Sequence, residues 1–402
     1  MPSHLSINHN DMRNMNLALI LNCLHQHAPL SRARLAELTG LNRATVTHLV
    51  RELIHKGLLV EMDGNPHPSA VGHPSINLQI NPNAGRVIGV EVGVDYTSAV
   101  LTDLRPKILW RHDAQHPFSQ DVGEVMERVL LIVDQAYRQA RQSGFPILGI
   151  AVGVPGLVDL DSDTLLQSPE FGWRNVSLRE HIGRHFDVPF YSGNLVHMAA
   201  LGESYFGAAR RVSSSVYIHL GYTVSGGIVI NEDVFPGAMG LAGEVGHMSI
   251  DPHGERCACG SRGCWNLFVS QQGLFRRLQE GMAHGTQTLL SAASPLSMPA
   301  VLDAASRGDA LTLEALQQTG VWLGIGIANL VNILNPQYVV LGGAMSMAFD
   351  FFAPAMYAEL AERALLAPCD ICKVTVAKYR QDAAVIGAVA TVIWNILNHP
   401  QN

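Results

Sequence analysis

The chain has 402 residues, six cysteines and a formal net charge of −7 at pH 7. Its length exceeds what one hydrophobic core usually supports, so we expect two or more domains, and six cysteines are too few for a disulfide scaffold. No apolar run reaches the roughly 20 residues of a membrane helix and the polar N-terminus does not resemble a secretory signal, so we expect a cytoplasmic protein with no membrane insertion.

The charge is unevenly distributed along the chain. Residues 1–60 contain six arginines and lysines against three acidic residues, a net charge of +3, so the remainder carries −10. Because nucleic acids are polyanions, a contact with DNA is expected at the N-terminus and not elsewhere.

Three helical patterns open the sequence, at residues 14–27, 31–38 and 42–56. Ser31 and Asn42 are well suited to cap the second and third of these helices. The short connection between them has the spacing of a helix-turn-helix, whose second helix enters the major groove. The alternative, a helical hairpin that makes protein contacts, leaves the positive charge of this segment unexplained.

A β-hairpin is predicted next, with strands at 58–61 and 76–80 and a tip that contains His73. The tip order Gly-His-Pro resembles a Gly-Arg-Pro wing that places a cation in the minor groove, but a neutral imidazole binds there less strongly. Residues expected to contact DNA are polar or basic and lie on these elements: Ser31, Arg32, Arg34, Asn42, Arg43, Thr45, Thr47, His48, Arg51 and His73.

After residue 81 the pattern changes to alternating strands and helices. It predicts strands at 87–94, 98–103, 147–154, 215–220, 227–230 and 338–341, and helices at 123–141, from 301 onward and at 320–334. Two α/β layers in series follow from this order.

A histidine and three cysteines form a metal-ligand pattern. His247, Cys257, Cys259 and Cys264 supply imidazole and thiolate, and four protein ligands with no open position are typical of one structural zinc ion per chain. The alternative is a set of free cysteines in a core loop. A second pair, Cys369 and Cys372, lacks neighbouring ligands and is interpreted as two reduced thiols.

Three motifs carry a family resemblance. They are the glycine-bearing strand at 87–97, the run at 194–203, and the Glu-x-Gly-His motif at 244–247 followed by the Cys-x-Cys-x₄-Cys motif. Together with the N-terminal helices they resemble the ROK family of repressors and sugar kinases, and the segments at 93–96, 101–104 and 262–265 are most similar to xylose-operon repressors.

The resemblance implies a fold and a domain division. It implies an α/β protein in which a winged helix-turn-helix (residues 1–81, called the head below) precedes two actin-like ATPase, ribonuclease H-like lobes. The expected lobes are residues 82–194 with 381–402, and residues 195–380, the latter with the zinc site and an oligomerisation surface.

Kinases of this family need two glycine-rich phosphate loops and an aspartate base. Here the first loop has Glu91 and Asp95 where the family has Asp-x-Gly-Gly-Thr, the second, at 221–227, carries bulky side chains, and Leu195 replaces the aspartate. Leucine cannot accept a proton, so the resemblance implies no sugar kinase activity. The alternative is an ATP-dependent sugar kinase with a DNA-binding head.

The family also implies sugar contacts. Asn194, Glu244 and His247 match positions that bind sugar hydroxyls, whereas Asn266 replaces a glutamate that does so. Glu244 could instead only orient the zinc site.

The function expected is that of a repressor of carbohydrate-utilisation genes. It would bind a palindromic double-stranded DNA operator as a homodimer or homotetramer, under the control of a sugar effector or a sugar-transport protein.

Overall fold

The structure is a computed structural model and describes residues 9–62, 76–291 and 295–400. Its helices are α1 (His9–His27), α2 (Arg32–Thr39), α3 (Arg43–His55), α4 (Val122–Gln142), α5 (Leu178–His181), α6 (Leu195–Tyr205), α7 (Asn266–Val269), α8 (Gln271–Ala283), α9 (Met298–Ser306), α10 (Ala310–Leu334), α11 (Phe349–Arg363), α12 (Leu366–Ile371) and α13 (Ala383–Asn398).

The strands are numbered in the same way. They are β1 (Leu30–Ser31), β2 (Leu59–Met62), β3 (Asn77–Ile80), β4 (Arg86–Val92), β5 (Tyr96–Thr102), β6 (Ile108–Gln115), β7 (Ile147–Val154), β8 (Leu157–Asp159), β9 (Thr164–Ser168), β10 (Trp173–Ser177), β11 (Phe190–Asn194), β12 (Ser214–Leu220), β13 (Val224–Ile230), β14 (Asp233–Val234), β15 (Tyr338–Gly342) and β16 (Lys373–Val376).

The described residues fall into two compact units. The first draws on Met1–Val152, Val176–Ser192 and Ala388–Asn402, and the second on Gly153–Asn175 and Gly193–Gly387. The division into three domains stays a prediction. No helix in the described part of the chain is long and apolar enough to cross a bilayer.

The head combines α1 to α3 with a sheet in the order β1-β3-β2. The apolar face of α1 is fully buried at Leu17, Ile20, Leu21 and Leu24, and α3 buries Val46, Leu49, Val50 and Leu53 against it. The three predicted helices and the hairpin strands are therefore present. Strand β1 was not predicted; it is only two residues long and pairs with β3.

The ends of the head helices follow the predicted capping. The Ser31 hydroxyl accepts a hydrogen bond from the Arg34 amide, and Gly40 ends α2 in the left-handed region at φ 70°. Glycine adopts this conformation without the steric cost that a side chain brings. The fixed turn sets the start of α3.

The head packs on the C-terminal end of α13 within the first unit. Asn22 Nδ2 donates to Asn398 Oδ1 at 3.0 Å, and Lys56 Nζ donates to the Pro400 carbonyl at 3.3 Å. Asn398 and Pro400 thus tie α13 and the residues after it to the helices of the head.

The rest of the first unit is built on a sheet in the order β11-β7-β4-β5-β6, covered by α4. Every residue of β4 is buried, including the charged Arg86 and Glu91 among its apolar residues, and β4 pairs antiparallel with β5. The edge strand β6 was not predicted, because its outer residues alternate between exposed and half-buried positions without an apolar pattern.

The second unit has a sheet in the order β14-β13-β12-β15-β16. Helices α10 and α11 pack closely together because Gly320 and Gly324 leave no side chain between α10 and the α11 backbone at Phe352 and Met356. This close approach accounts for the glycines in the predicted helix. A separate small sheet has the order β10-β9-β8.

Candidate functional site

The outward face of α3 is the side of the helix opposite its buried residues. Val46, Leu49, Val50 and Leu53 point into the head. At 3.6 residues per turn, the opposite side carries Ala44, His48, Arg51 and His55, with Arg43 and Thr47 beside it; all six are exposed.

Two arginines on this helix are free cations. Arg43 and Arg51 are exposed, and within the described ranges neither guanidinium takes part in an ion pair. Asn42 caps the helix, since its Oδ1 accepts from the Thr45 amide at 2.8 Å, and the Thr45 side chain is half-buried. The N-terminus of α3 is thus fixed in place and flanked by positive charge.

The predicted contacts on α2 are already engaged within the head. Arg32 pairs with Glu61 at 2.6 Å, and Arg34 pairs with Glu37 at 2.7 Å. The Ser31 hydroxyl is used as the helix cap. Positive charge is therefore less available on α2 than on α3. His73 lies outside the described residues.

Ala44 is exposed on the outward face of α3, but it was not among the residues predicted to contact DNA. Alanine has neither a charge nor a hydrogen-bonding group in its side chain, so a prediction based on those properties omits it. The helical period nevertheless places Ala44 on the outward face.

Asn194 caps α6 in the second unit. Its Oδ1 accepts from the amides of Val196 (2.8 Å) and His197 (3.1 Å), and its Nδ2 donates to the Gly156 carbonyl at 2.8 Å. One side-chain N–H therefore remains for another acceptor.

The segment that carries Glu244 lies beside this cap. The His197 ring is hydrogen-bonded to the Ala242 carbonyl at 2.7 Å, two residues before Glu244. Desolvation raises the pKa of the Glu244 carboxyl and the nearby Glu170 raises it further, while His247 lowers it. The structure thus brings the predicted Asn194 and Glu244 segments together and adds Glu170, which no sequence motif marked.

The predicted metal ligands form one cluster. One ligand atom from each of His247, Cys257, Cys259 and Cys264 lies within 4.8 Å of the others. Cys259 Sγ is 3.6 Å from Cys264 Sγ, and Cys257 Sγ is 3.8 Å from His247 Nδ1. Two sulfurs on a tetrahedral ion with metal–sulfur bonds of about 2.3 Å are about 3.7 Å apart, so the residues fit a metal ion.

The thiols of this cluster differ in their environment. Desolvation raises the pKa of Cys264 to about 12, whereas hydrogen bonding, mainly from the Ser261 backbone, lowers the pKa of Cys259. A cation in the cluster would take the place of the proton on the buried thiol.

The first glycine loop is closed by its own side chains. The Tyr96 ring fills the space that a Cβ at Gly93 would need, and the Tyr96 hydroxyl donates to the buried Glu91 carboxylate. A phosphate needs close approach to such a backbone, so both the ring and the negative charge oppose it.

Two further departures from the family pattern, the missing base at Leu195 and the changed sugar contact at Asn266, are also built into the fold. Leu195 begins α6 and is only 8% exposed. The Asn266 Oδ1 accepts from the Val224 amide at 2.8 Å, so this side chain tethers the second loop. Neither residue can act as a base.

Comparison with known proteins gives matches over nearly the whole chain. A model of the ROK family matches residues 87–394, and a model of winged helix-turn-helix DNA-binding domains matches residues 19–60. The chain is 31% identical to a xylose repressor of Caldicellulosiruptor bescii, over 98% of this chain and 99% of the relative. It is 30% identical to the Escherichia coli dual regulator NagC, over 89% of this chain and 87% of the relative.

Two solved structures agree with these matches. A ROK family transcriptional regulator, described as a homologue of the E. coli MLC protein, aligns over 96% of this chain and 98% of its own with a TM-score of 0.84 at 27% identity. A ROK family glucokinase from Streptomyces griseus, in complex with glucose and AMPPNP, covers 76% of this chain and 99% of its own with a TM-score of 0.66 at 26% identity.

Proposed function

This chain belongs to the ROK family, and we propose that it is a DNA-binding repressor of carbohydrate-utilisation genes without sugar kinase activity. The observation that carries the proposal is the pair of unpaired cations, Arg43 and Arg51, on the exposed side of a capped helix inside a winged helix-turn-helix match. Phosphate contacts from such side chains supply a large share of the affinity for DNA.

The similarity extends through the head. Full-length relatives named xylose repressor match head and body together, whereas the glucokinase covers about three quarters of the chain. The regulator class is thus favoured over a kinase that happens to carry a head.

The body supports the same conclusion. Leu195 supplies no base, and Tyr96 and Glu91 block the first phosphate loop. Phosphoryl transfer depends on positioning the phosphates and on a group that orients or deprotonates the acceptor. The chain lacks suitable side chains at both positions.

We propose that the repressor acts as a homodimer or homotetramer on a palindromic operator, because a two-fold protein presents two recognition helices to two half-sites about one helical turn apart, or a multiple of it. A sugar or a sugar-transport protein would then control the placement of the heads.

For a sugar effector, the proposed contacts are Asn194, Glu244 and His247. A carboxylate and a free amide N–H suit a polyol, since each hydroxyl can both donate and accept. A thermal-shift screen of sugars that includes xylose would identify the effector as the compound that raises the melting temperature.

We also propose that the His247 cluster holds a structural zinc ion, one per chain. Three thiols and an imidazole are the donors that zinc prefers, and the four protein ligands leave no position for catalysis. The ion would fix the turn between His247 and α7, which starts at Asn266.

The test uses full-length protein and a duplex enriched from a random-sequence library by binding to the wild type. The affinity of the protein for this duplex should fall steeply as the salt concentration rises. Arg43→Ala and Arg51→Ala should each weaken binding by about tenfold and lower the slope of log affinity against log salt concentration by about one. Fluorescence anisotropy at several salt concentrations measures both quantities.

Arg138→Ala is the matched control. Arg138 is an exposed arginine on α4 that pairs with Asp134 at 2.7 Å, outside the head. Its loss should leave the affinity and the slope unchanged. Salt-independent binding, or equal effects of Arg43→Ala and Arg138→Ala, would contradict the proposal.

A further inference from the structure

The outward face of α3 has an apolar part between its two free cations. Ala44 is exposed near the start of the helix, and Thr47 follows one turn later. Arg43 lies just before this pair and Arg51 one turn beyond it. A helix held in the major groove by these arginines would bring Ala44 and Thr47 to the base edges.

The hydroxyl of Thr47 is already committed to the helix. Thr47 Oγ1 donates to the Arg43 carbonyl at 2.8 Å. This bond fixes the side chain in one rotamer, so the hydroxyl no longer offers a proton to a base and the γ-methyl becomes the free apolar group. Ala44 adds a second methyl on the same side of the helix.

Thymine is the only base that presents an apolar group, its C5-methyl, in the major groove. The methyl groups of alanine and threonine are suitable partners for this methyl. We propose that Ala44 and the Thr47 methyl form a surface that recognises thymine in each half-site. This inference rests on the proposed DNA-binding function and adds a base preference to it.

The experiment removes the thymine methyl without changing base pairing. In the enriched operator duplex, each thymine is replaced in turn by deoxyuridine, and the affinity of full-length protein is measured at fixed salt. One or two positions in each half-site should lose about fourfold in affinity, as expected for one buried methyl group, and the other positions should be unaffected.

Two variants of Thr47 separate its methyl from its hydroxyl. Thr47→Ser keeps the hydroxyl and should abolish the difference between thymine and deoxyuridine at one position, while Thr47→Val keeps the methyl and should retain it. Ala44→Gly should abolish the difference at the neighbouring position. Because each readout is a ratio for one variant, a general loss of helix stability cancels.

The outcomes distinguish this inference from the proposed function. If wild-type protein binds the duplex in a salt-dependent way but tolerates deoxyuridine everywhere, the thymine inference is wrong and the DNA-binding function stands. If Thr47→Ser and Ala44→Gly lose as much affinity as the wild type when thymine is replaced by deoxyuridine, other residues recognise the thymine methyl. If no duplex is enriched at all, the proposed function fails as well.

Discussion

Helix α3 and the loops of the body both carry polar side chains, but these differ in whether they have a partner inside the protein. On α3, Arg43 and Arg51 are exposed and have no acidic partner within the described ranges. In the body, Glu91 accepts from Tyr96, Asn194 caps α6, and Asn266 tethers the second loop.

The difference follows from solvation. An exposed guanidinium is stabilised by water and can exchange that water for phosphate, whereas a buried polar group must find a partner inside the protein. A residue type therefore indicates a binding role only where the folded chain leaves it without an internal partner.

The largest effect is expected at the His247 cluster, where polar side chains of the body would serve the fold through a bound metal ion. If His247, Cys257, Cys259 and Cys264 hold zinc, elemental analysis of reduced, full-length protein should give one zinc per chain. Removal of the metal by a chelator should destabilise the second unit by about 4 kcal/mol or more, because the ligands must then be desolvated without a cation. Scanning calorimetry measures the loss.

Cys264→Ala should abolish the bound zinc and reproduce the destabilisation, and Cys372→Ala is its control, since that thiol lies outside the cluster. If the metal-free protein is as stable as the metal-bound protein, the cluster has no structural role.

A smaller effect is expected at Glu203 on α6. This carboxylate is 1% exposed and accepts from the backbone amides of Ala208, Lys378 and Tyr379 at 2.7 to 3.1 Å. Glu203→Gln turns one acceptor into a donor that faces these amides, so the free energy of unfolding should fall by about 2 kcal/mol. Urea denaturation measures the change.

The matched substitution Glu280→Gln, at an exposed position of α8, should change stability by less than about 0.5 kcal/mol. Equal effects at the two positions would show that Glu203 does not serve the fold in this way.

The smallest effect is expected in a kinase assay. Wild-type protein with ATP and a panel of hexoses and pentoses should release no sugar-dependent ADP. Leu195→Asp restores a carboxylate at the base position and should remain inactive, because Tyr96 still covers Gly93. ADP release by the wild type above background would overturn the absence of kinase activity, and a ROK glucokinase serves as the positive control.

Much of the fold could be predicted because its determinants are local. The 3.6-residue period of Val46, Leu49, Val50 and Leu53 fixed both the existence and the inner face of α3, and its cap was recognisable at Asn42. The clustering of His247, Cys257, Cys259 and Cys264 was also predictable, since close spacing in sequence limits how far apart they can lie. The edge strand β6 and the short β1 were missed because partner strands, and not their own sequences, stabilise them.

The sequence by itself determined the order of the head and body, the cap and buried face of α3, the His/Cys set that could hold a metal ion and the absence of a base at Leu195. Only the tertiary structure decided which arginines of the head remain available: Arg32 is paired with Glu61 of β2, whereas Arg43 and Arg51 have no ion-pair partner within the described ranges. The physical reason is that capping and helical periodicity act over a few residues, whereas hydrogen-bond partners come from any part of the folded chain.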